Sequence, residues 1–184
     1  MIGATLYMPE GAPVSYPFCD LADGNVLEVG SAKLEVIRTP GHTSESTSYL
    51  LDRRVLFTGD TLFLSAVGRP DLDGTSEVAR HRARELYRSL RRLFALDPET
   101  LVLPGHTGEP VAFDGEPIRA RLSEVRGSIR VLEEDEDAFV EQIAGHGTPT
   151  PSNFERIVEL NRAGLSPEGD PTDLEAGANR CAAG

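Results

Sequence analysis

Three times along the chain, a short apolar segment ends in a glycine that is followed by a side chain able to bind a metal ion. The three segments are TPGHT at 39–43, FTGDT at 57–61 and LPGHT at 103–107, and they present His42, Asp60 and His106. In α/β folds, functional side chains collect in loops beyond the strand ends, because the strands fix the backbone while the loop exposes the side chain. The pattern therefore predicts strands whose ends carry a functional site.

Strands and helices are predicted to alternate along the chain. The predicted strands are 4–8, 33–38, 48–51, 54–59 and 101–104, of which 48–51 and 54–59 form a hairpin around Asp52 and Arg53. The predicted helices are 75–96, about 133–144 and 152–163, the last with Thr150 at its N-cap and Pro151 at its first position. This alternation predicts an α/β domain over residues 1–164. Residues 165–184 are poor in apolar side chains, and we expect a disordered tail there.

The charge and the cysteine content exclude several classes of partner. Acidic residues outnumber basic ones 30 to 18, which gives a formal net charge of -12. Such a surface repels phosphate backbones and anionic lipids, so we expect neither a nucleic-acid nor a membrane partner. No stretch is long and apolar enough to span a bilayer and no signal peptide is visible, so we expect a cytoplasmic protein. Cys19 and Cys181 form neither a disulfide framework nor a thiolate site, so a metal here would need histidine and carboxylate ligands.

Two histidines and one carboxylate form the donor set that typically holds non-haem iron(II), and the same donors suit zinc. The preceding glycines, Gly41, Gly59 and Gly105, permit a tight turn that directs the next side chain inward. Each pair alone is also typical of a turn with a local hydrogen bond, and only the set of three favours a metal site. His81 is predicted to face solvent from the 75–96 helix, and His146 to cap the end of a helix.

The run TPGHTSESTSYLLDRRVLFTGDTLFLSAVGRPDL at 39–72, followed by LPGHT, resembles the metallo-β-lactamase superfamily. Two branches of that superfamily compete. Persulfide dioxygenases oxidise glutathione persulfide to sulfite and glutathione with one iron ion, and glyoxalase II enzymes hydrolyse S-lactoylglutathione with two metals. VGRPDL at 67–72 and PSNFERIVELNRAG at 151–164 are similar to the dioxygenase branch, whereas the hydrolases usually carry a cysteine before Gly-Arg.

The resemblance implies roles for four residues. His42 and Asp60 match the second and third ligands of the dioxygenase iron, and Asp60 would bridge if two metals were bound. His106 matches a histidine that ligates the second metal of the hydrolases and lies near the iron of the dioxygenases. Arg69 matches an arginine near the substrate thiol. A salt bridge of Arg69 with Asp71 or Asp73 is an equally good interpretation.

One motif of the superfamily is absent. The HxHxDH motif supplies the first metal ligands, and no histidine precedes His42 in this sequence. Because GATLYMPEGA at 3–12 resembles the segment that follows this motif, the resemblance implies the C-terminal part of an αββα sandwich. A sheet without its partner layer has an uncovered apolar face and an open edge. We therefore expect self-association into a homo-oligomer, or pairing with a complementary N-terminal fragment.

Three functions remain open at this point. The sequence favours a persulfide dioxygenase with one Fe²⁺ that acts on a small thiol-derived substrate and is impaired as an isolated fragment. The alternative within enzymes is a glyoxalase II-like hydroxyacylglutathione hydrolase with Zn²⁺. The alternative of another class is a non-catalytic remnant or one subunit of a split protein.

Overall fold

The computed structural model describes residues 3–72, 75–107, 111, 114–145, 153–175 and 182–183. The strands are β1 (Tyr7–Pro9), β2 (Cys19–Leu21), β3 (Val26–Val29), β4 (Ala32–Arg38), β5 (Thr47–Leu51), β6 (Val55–Gly59), β7 (Val67–Gly68), β8 (Leu101–Pro104), β9 (Ala120–Arg121) and β10 (Ala182–Ala183). The helices are α1 (Ser76–Leu93), α2 (Leu122–Ser128), α3 (Glu136–Ala144), α4 (Phe154–Ala163) and α5 (Thr172–Glu175), with a 3-10 turn at Arg130–Glu133. The predicted α/β class is confirmed.

A six-stranded sheet in the order β3-β4-β5-β6-β8-β9 organises the domain. Neighbouring strands run antiparallel except β6 and β8, which run parallel. Parallel neighbours require a crossover connection, and the chain between β6 and β8 contains β7 and α1. As a result β6 and β8 end at the same edge of the sheet.

The predicted hairpin forms between β5 and β6. Its two central residues, Asp52 and Arg53, have φ values of 46° and 56°, and Arg54 N–H donates to the Leu51 carbonyl at 2.9 Å. Left-handed residues at both central positions match the right-handed twist of the flanking strands. The Asp52 carboxylate also accepts from the Lys33 N–H at 2.8 Å, which ties the turn to β4. The turn therefore holds β4, β5 and β6 in register.

Helix α1 covers one face of the sheet. Thr75 caps its N-terminus by accepting from the Val78 N–H, and Arg91 and Arg92 lie in its last turn, where cations favour the helix dipole. Its apolar stripe joins one buried cluster with strand residues of the sheet. The stripe and the strand residues are Ala83, Leu86, Leu90 and Leu93 on α1 and Ile37, Leu50, Leu56 and Val102 on β4, β5, β6 and β8. The predicted helix is confirmed, although it ends at Leu93 rather than 96.

The opposite face of the sheet is apolar and only partly covered. We call it the open face and define it by Leu34, Tyr49, Leu51, Val55, Phe57, Leu101 and Leu103, which share this face by the strand register. Phe57 keeps 39% of its surface exposed and the other six are half-buried, while Val36 on the same face is fully buried. The partly uncovered apolar face expected from the resemblance is thus present in the structure.

Several short elements escape the sequence prediction. Between residues 3 and 164, the described elements without a predicted counterpart are β2, β3, β7, β9, α2 and the 3-10 turn. The first predicted strand, 4–8, appears as Tyr7–Pro9. The predicted 133–144 helix begins at Glu136 because Asp135 caps it, and the 152–163 helix begins at Phe154 with Asn153 at its N-cap. The predicted cap residues Thr150 and Pro151 lie outside the described residues.

The segment predicted as a disordered tail contains two short elements. Helix α5 forms at Thr172–Glu175, and β10 pairs antiparallel with β7. Disorder of residues 165–184 in solution stays a prediction. Within the described ranges, no helix combines the length and the apolar character needed to cross a membrane.

The packing of α1 predicts a contrast between two apolar residues of that helix. Leu86→Ala removes a fully buried side chain and should lower the free energy of unfolding by about 2–5 kcal/mol. Val78→Ala, at a position that is 38% exposed, should change it by less than about 0.5 kcal/mol. Urea denaturation of the two variants measures both values, and equal effects would contradict the assigned core.

Candidate metal centre

His42 lies on a loop that is packed tightly against α1. The loop follows β4, and a Cβ atom added to Gly41 would lie 2.4 Å from the Cβ of Leu86. Ser89 of α1 donates its hydroxyl to the Pro40 carbonyl at 2.8 Å. Gly41 also has a φ of 145°, a value that side chains disfavour. Glycine at this position therefore lets the loop seat on the helix and places His42 inside, with 6% of its surface exposed.

The hydrogen bond of His42 determines which ring nitrogen is free. Nδ1 lies 2.8 Å from the carbonyl oxygen of Arg69. A carbonyl can only accept, so Nδ1 carries the proton and Nε2 keeps its lone pair. Burial lowers the pKa of His42 below its ordinary value, and the Arg69 hydrogen bond and the Asp60 charge, which act to raise the pKa, do not outweigh this. The ring is therefore held as a neutral imidazole, the form that binds metals.

Asp60 faces His42 with one oxygen and His106 with the other. Its Oδ2 lies 3.7 Å from His42 Nε2, and its Oδ1 lies 2.6 Å from His106 Nδ1. Asp60 follows β6 and His106 follows β8, and the parallel pairing of these strands brings the two residues together. Gly59 adopts a φ of 50°, and a Cβ on Gly105 would lie 2.8 Å from Asp60 Oδ1. Both glycines thus permit the close approach.

The pair of His42 and Asp60 fits two neighbouring positions of one metal ion. Two ligands about 2.1 Å from a tetrahedral metal are about 3.4 Å apart. The 3.7 Å between Nε2 and Oδ2 is close to that separation. Within the part of the chain that the structure describes, no group of three or more His, Cys, Asp or Glu side chains is arranged to hold a metal. His106, with 52% of its side chain exposed, contacts Asp60 and does not complete such a group.

In the structure, Arg69 forms the salt bridge with Asp71 that the second interpretation predicted. Arg69 is 2% exposed, and its Nε and Nη2 donate to the two oxygens of Asp71 at 2.7 and 3.0 Å. A contact of the guanidinium with substrate stays a prediction, as do the metal roles of His42, Asp60 and His106. Asp73, the other salt-bridge candidate, lies outside the described residues.

Sequence reasoning missed the role of Gly68. A Cβ on this residue would lie 1.8 Å from the Asp60 carbonyl oxygen and 3.1 Å from the Cβ of His42. The segment VGRPD therefore packs against both residues of the pair. In the sequence, Gly68 is visible only as another glycine next to Arg69, and no pattern indicates that it packs against Asp60.

Of the other two histidines, His81 lies apart from this site and His146 is not among the described residues. His81 has 74% of its side chain exposed and lies 3.8 Å from Glu85, so the prediction that it faces solvent is confirmed. His146 lies outside the described residues.

Comparison with known proteins identifies the fold and its relatives. Residues 7–106 match the family model of the metallo-beta-lactamase superfamily. The chain is 46% identical over 87 residues to the uncharacterized protein ML0493 of Mycobacterium leprae, covering 46% of this chain and 37% of that protein. It is 38% identical over 101 residues to a hydroxyacylglutathione hydrolase of Mesorhizobium japonicum, covering 53% and 36%.

Two solved structures resemble most of the chain. A metallo-beta-lactamase from Staphylococcus aureus superposes with a TM-score of 0.77 at 23% identity, covering 89% of this chain and 53% of that one. ETHE1 from Myxococcus xanthus superposes with a TM-score of 0.71 at 32% identity, covering 87% and 66%. The chain thus spans between about a third and two thirds of the length of these four proteins.

The neutral, buried state of His42 predicts a pH dependence of stability. Its pKa is lowered from 6.5 in the folded protein, so the unfolded chain binds more protons as the pH falls. The free energy of unfolding should therefore be fully retained above about pH 6.5 and decrease as the pH falls toward the folded pKa. His42→Asn keeps an N–H donor near Nδ1 without the titration and should flatten this dependence, whereas His81→Asn should not. Urea denaturation between pH 7 and 5 measures the slopes, and parallel curves for wild type and His42→Asn would refute the assignment.

The packing of Gly68 predicts a contrast between two glycines. Gly68→Ala forces a Cβ into the Asp60 carbonyl and should lower the free energy of unfolding by about 1–3 kcal/mol. Gly127→Ala in α2 meets nothing within 4 Å and should raise it by about 0.5–1 kcal/mol, because alanine favours helix. Thermal denaturation of both variants measures the difference. A harmless Gly68→Ala would show that the VGRPD segment does not contact Asp60 closely.

Proposed function

Because this chain belongs to the metallo-β-lactamase superfamily, we propose that it forms part of a metal-dependent site that acts on glutathione persulfide in the manner of a persulfide dioxygenase. The observation that carries the proposal is the facing pair of His42 Nε2 and Asp60 Oδ2, 3.7 Å apart. The segment VGRPDL, which resembles the dioxygenase branch, lies directly against this pair. The ETHE1 neighbour fits this interpretation.

The hydrogen bond of His106 orients the carboxylate of Asp60. Asp60 Oδ1 already accepts from His106 Nδ1 at 2.6 Å, so Oδ2 is the oxygen that faces His42. In this proposal His42 Nε2 and Asp60 Oδ2 would hold the single iron(II) that the dioxygenase branch uses, with His106 fixing the orientation of the carboxylate.

Iron(II), when bound, would supply open positions at which a substrate sulfur and O₂ can bind side by side. The chain's own residues have other tasks in this proposal. His42 supplies a neutral donor whose proton is held on the far side of the ring by Arg69. Asp60 supplies a negative charge that favours a cation.

We propose that the further metal ligands come from a complementary polypeptide segment that covers the open face. Two features support this: Phe57 on that face is 39% exposed, and Leu6 and Tyr7 at the start of β1 are 46% and 43% exposed. Burying apolar surface of this kind drives association. A second copy of this chain would cover the same surface without adding a new kind of ligand.

A thioester hydrolase is the second candidate. The hydroxyacylglutathione hydrolase relative, 38% identical over 101 residues, favours it. By the resemblance, Asp60 would then bridge two metals and His106 would be a ligand of the second. A third candidate is a non-catalytic subunit or remnant. It is favoured because only two possible metal ligands converge here, and the described residues bring no third ligand to the site.

Activity of the chain with defined metals distinguishes the three. The chain is loaded with Fe²⁺ under anaerobic conditions in two arms, one with the chain alone and one with the chain mixed with the part of Myxococcus ETHE1 that it does not match. Glutathione persulfide and O₂ are then added to both arms. We expect sulfite formation that His42→Ala abolishes and that His81→Ala, at a solvent-facing position, leaves intact. Cleavage of S-lactoylglutathione by the Zn²⁺-loaded chain would favour the hydrolase, and no turnover in any arm would contradict an enzymatic role.

A further inference from the structure

A line of contacts connects Asp71 to His42 through the backbone of Arg69. The two oxygens of Asp71 accept from Arg69 Nε at 2.7 Å and Nη2 at 3.0 Å. The carbonyl oxygen of Arg69 in turn accepts from His42 Nδ1 at 2.8 Å. The side chains of Arg69 and Asp71 are 3% and 15% exposed, so the ion pair is shielded from water.

This ion pair is of the kind that fixes geometry. A guanidinium and a carboxylate that share two parallel hydrogen bonds have one favoured relative orientation, which a single point contact does not impose. Pro70 stands between the two partners and restricts the backbone there. On the other side, Gly68 abuts the Asp60 carbonyl, and Val67 is fully buried. The Arg69 carbonyl is therefore held from both sides.

The position of that carbonyl decides the tautomer of His42. A neutral imidazole carries its proton on either nitrogen, and the hydrogen bond made by one nitrogen sets the state of the other. If the Arg69 carbonyl moves away, no other hydrogen bond among the described residues holds the proton on Nδ1. A proton on Nε2 would then stand between the ring and Asp60 Oδ2, 3.7 Å away.

We propose that Asp71 is a positioning residue for His42: its bidentate pair with Arg69 holds the Arg69 carbonyl against Nδ1 and so keeps the Nε2 lone pair directed at Asp60. The consequence for metal binding rests on the proposed function, whereas the tautomer itself does not. A purely structural ion pair would stabilise the fold without influencing the ring.

The tautomer can be read directly in the metal-free protein. Long-range ¹H–¹⁵N spectra of the ¹⁵N-histidine-labelled chain at pH 8 distinguish a protonated from an unprotonated ring nitrogen. We expect wild-type His42 to be protonated on Nδ1 alone and solvent-facing His81 to show a mixture. Asp71→Asn keeps the shape of the side chain but loses its charge and one acceptor oxygen, and it should convert His42 to a mixture.

A matched control separates this effect from the general loss of an ion pair. Glu136→Gln removes the partner of Arg88, 2.9 Å away on the surface, and should leave the His42 signals unchanged. If Asp71→Asn does not fold, Arg69→Lys provides the same test, because lysine keeps the charge and the backbone carbonyl but cannot form the two parallel hydrogen bonds.

The outcomes decide the proposal. An Nε2-protonated His42 in the wild type, or an unchanged Nδ1-protonated His42 in the folded variant, would overturn it. The second readout is Zn²⁺ affinity by calorimetry, which should fall about 10- to 100-fold in Asp71→Asn, as is typical when a partner of a ligating histidine is removed. A changed tautomer in a chain whose wild type binds no Zn²⁺ would support the positioning role and count against the proposed function.

Discussion

The hydrogen bond from His42 Nδ1 to the Arg69 carbonyl is the contact on which the candidate site depends. It decides that the free Nε2 faces Asp60, and burial keeps the ring neutral; a metal ligand must meet both conditions. Without it, the short distance between His42 and Asp60 would describe an ordinary polar contact. With it, the same two side chains have the arrangement that the proposed metal site requires.

The fold holds this contact from three directions. Gly41 lets the His42 loop pack directly against α1, so the ring is held against the core formed by the helix and the sheet. The parallel pairing of β6 and β8 brings His106 close to Asp60. His106 then forms a hydrogen bond with one oxygen of the Asp60 carboxylate. The VGRPD segment closes the third side through Gly68 and Arg69. The site is therefore a product of packing between loops distant in sequence, at positions where glycine is required.

The sequence predicts the parts that follow a local rule. The 75–96 helix follows from its apolar period, and the hairpin around Asp52 follows from two apolar strands that flank a polar pair. The nearness of His42, Asp60 and His106 follows from their shared position beyond strand ends. Elements of two residues such as β7 exist only through their pairing partners, so periodicity cannot reveal them. Equally, no local rule tells which oxygen of Asp60 meets which histidine, or that Gly68 lies against Asp60.

The proposed complementary segment would supply two things that the described residues do not: apolar cover for the open face and further ligands beside His42 and Asp60. The central claim is that His42 and Asp60 together hold one metal ion. Anomalous diffraction from crystals of the chain grown with Zn²⁺ tests it most directly. The account predicts one metal peak about 2.1 Å from both His42 Nε2 and Asp60 Oδ2, with His42 Nδ1 still bonded to the Arg69 carbonyl. A peak bound through Nδ1, or bound metal at other residues with this pair left empty, would contradict it.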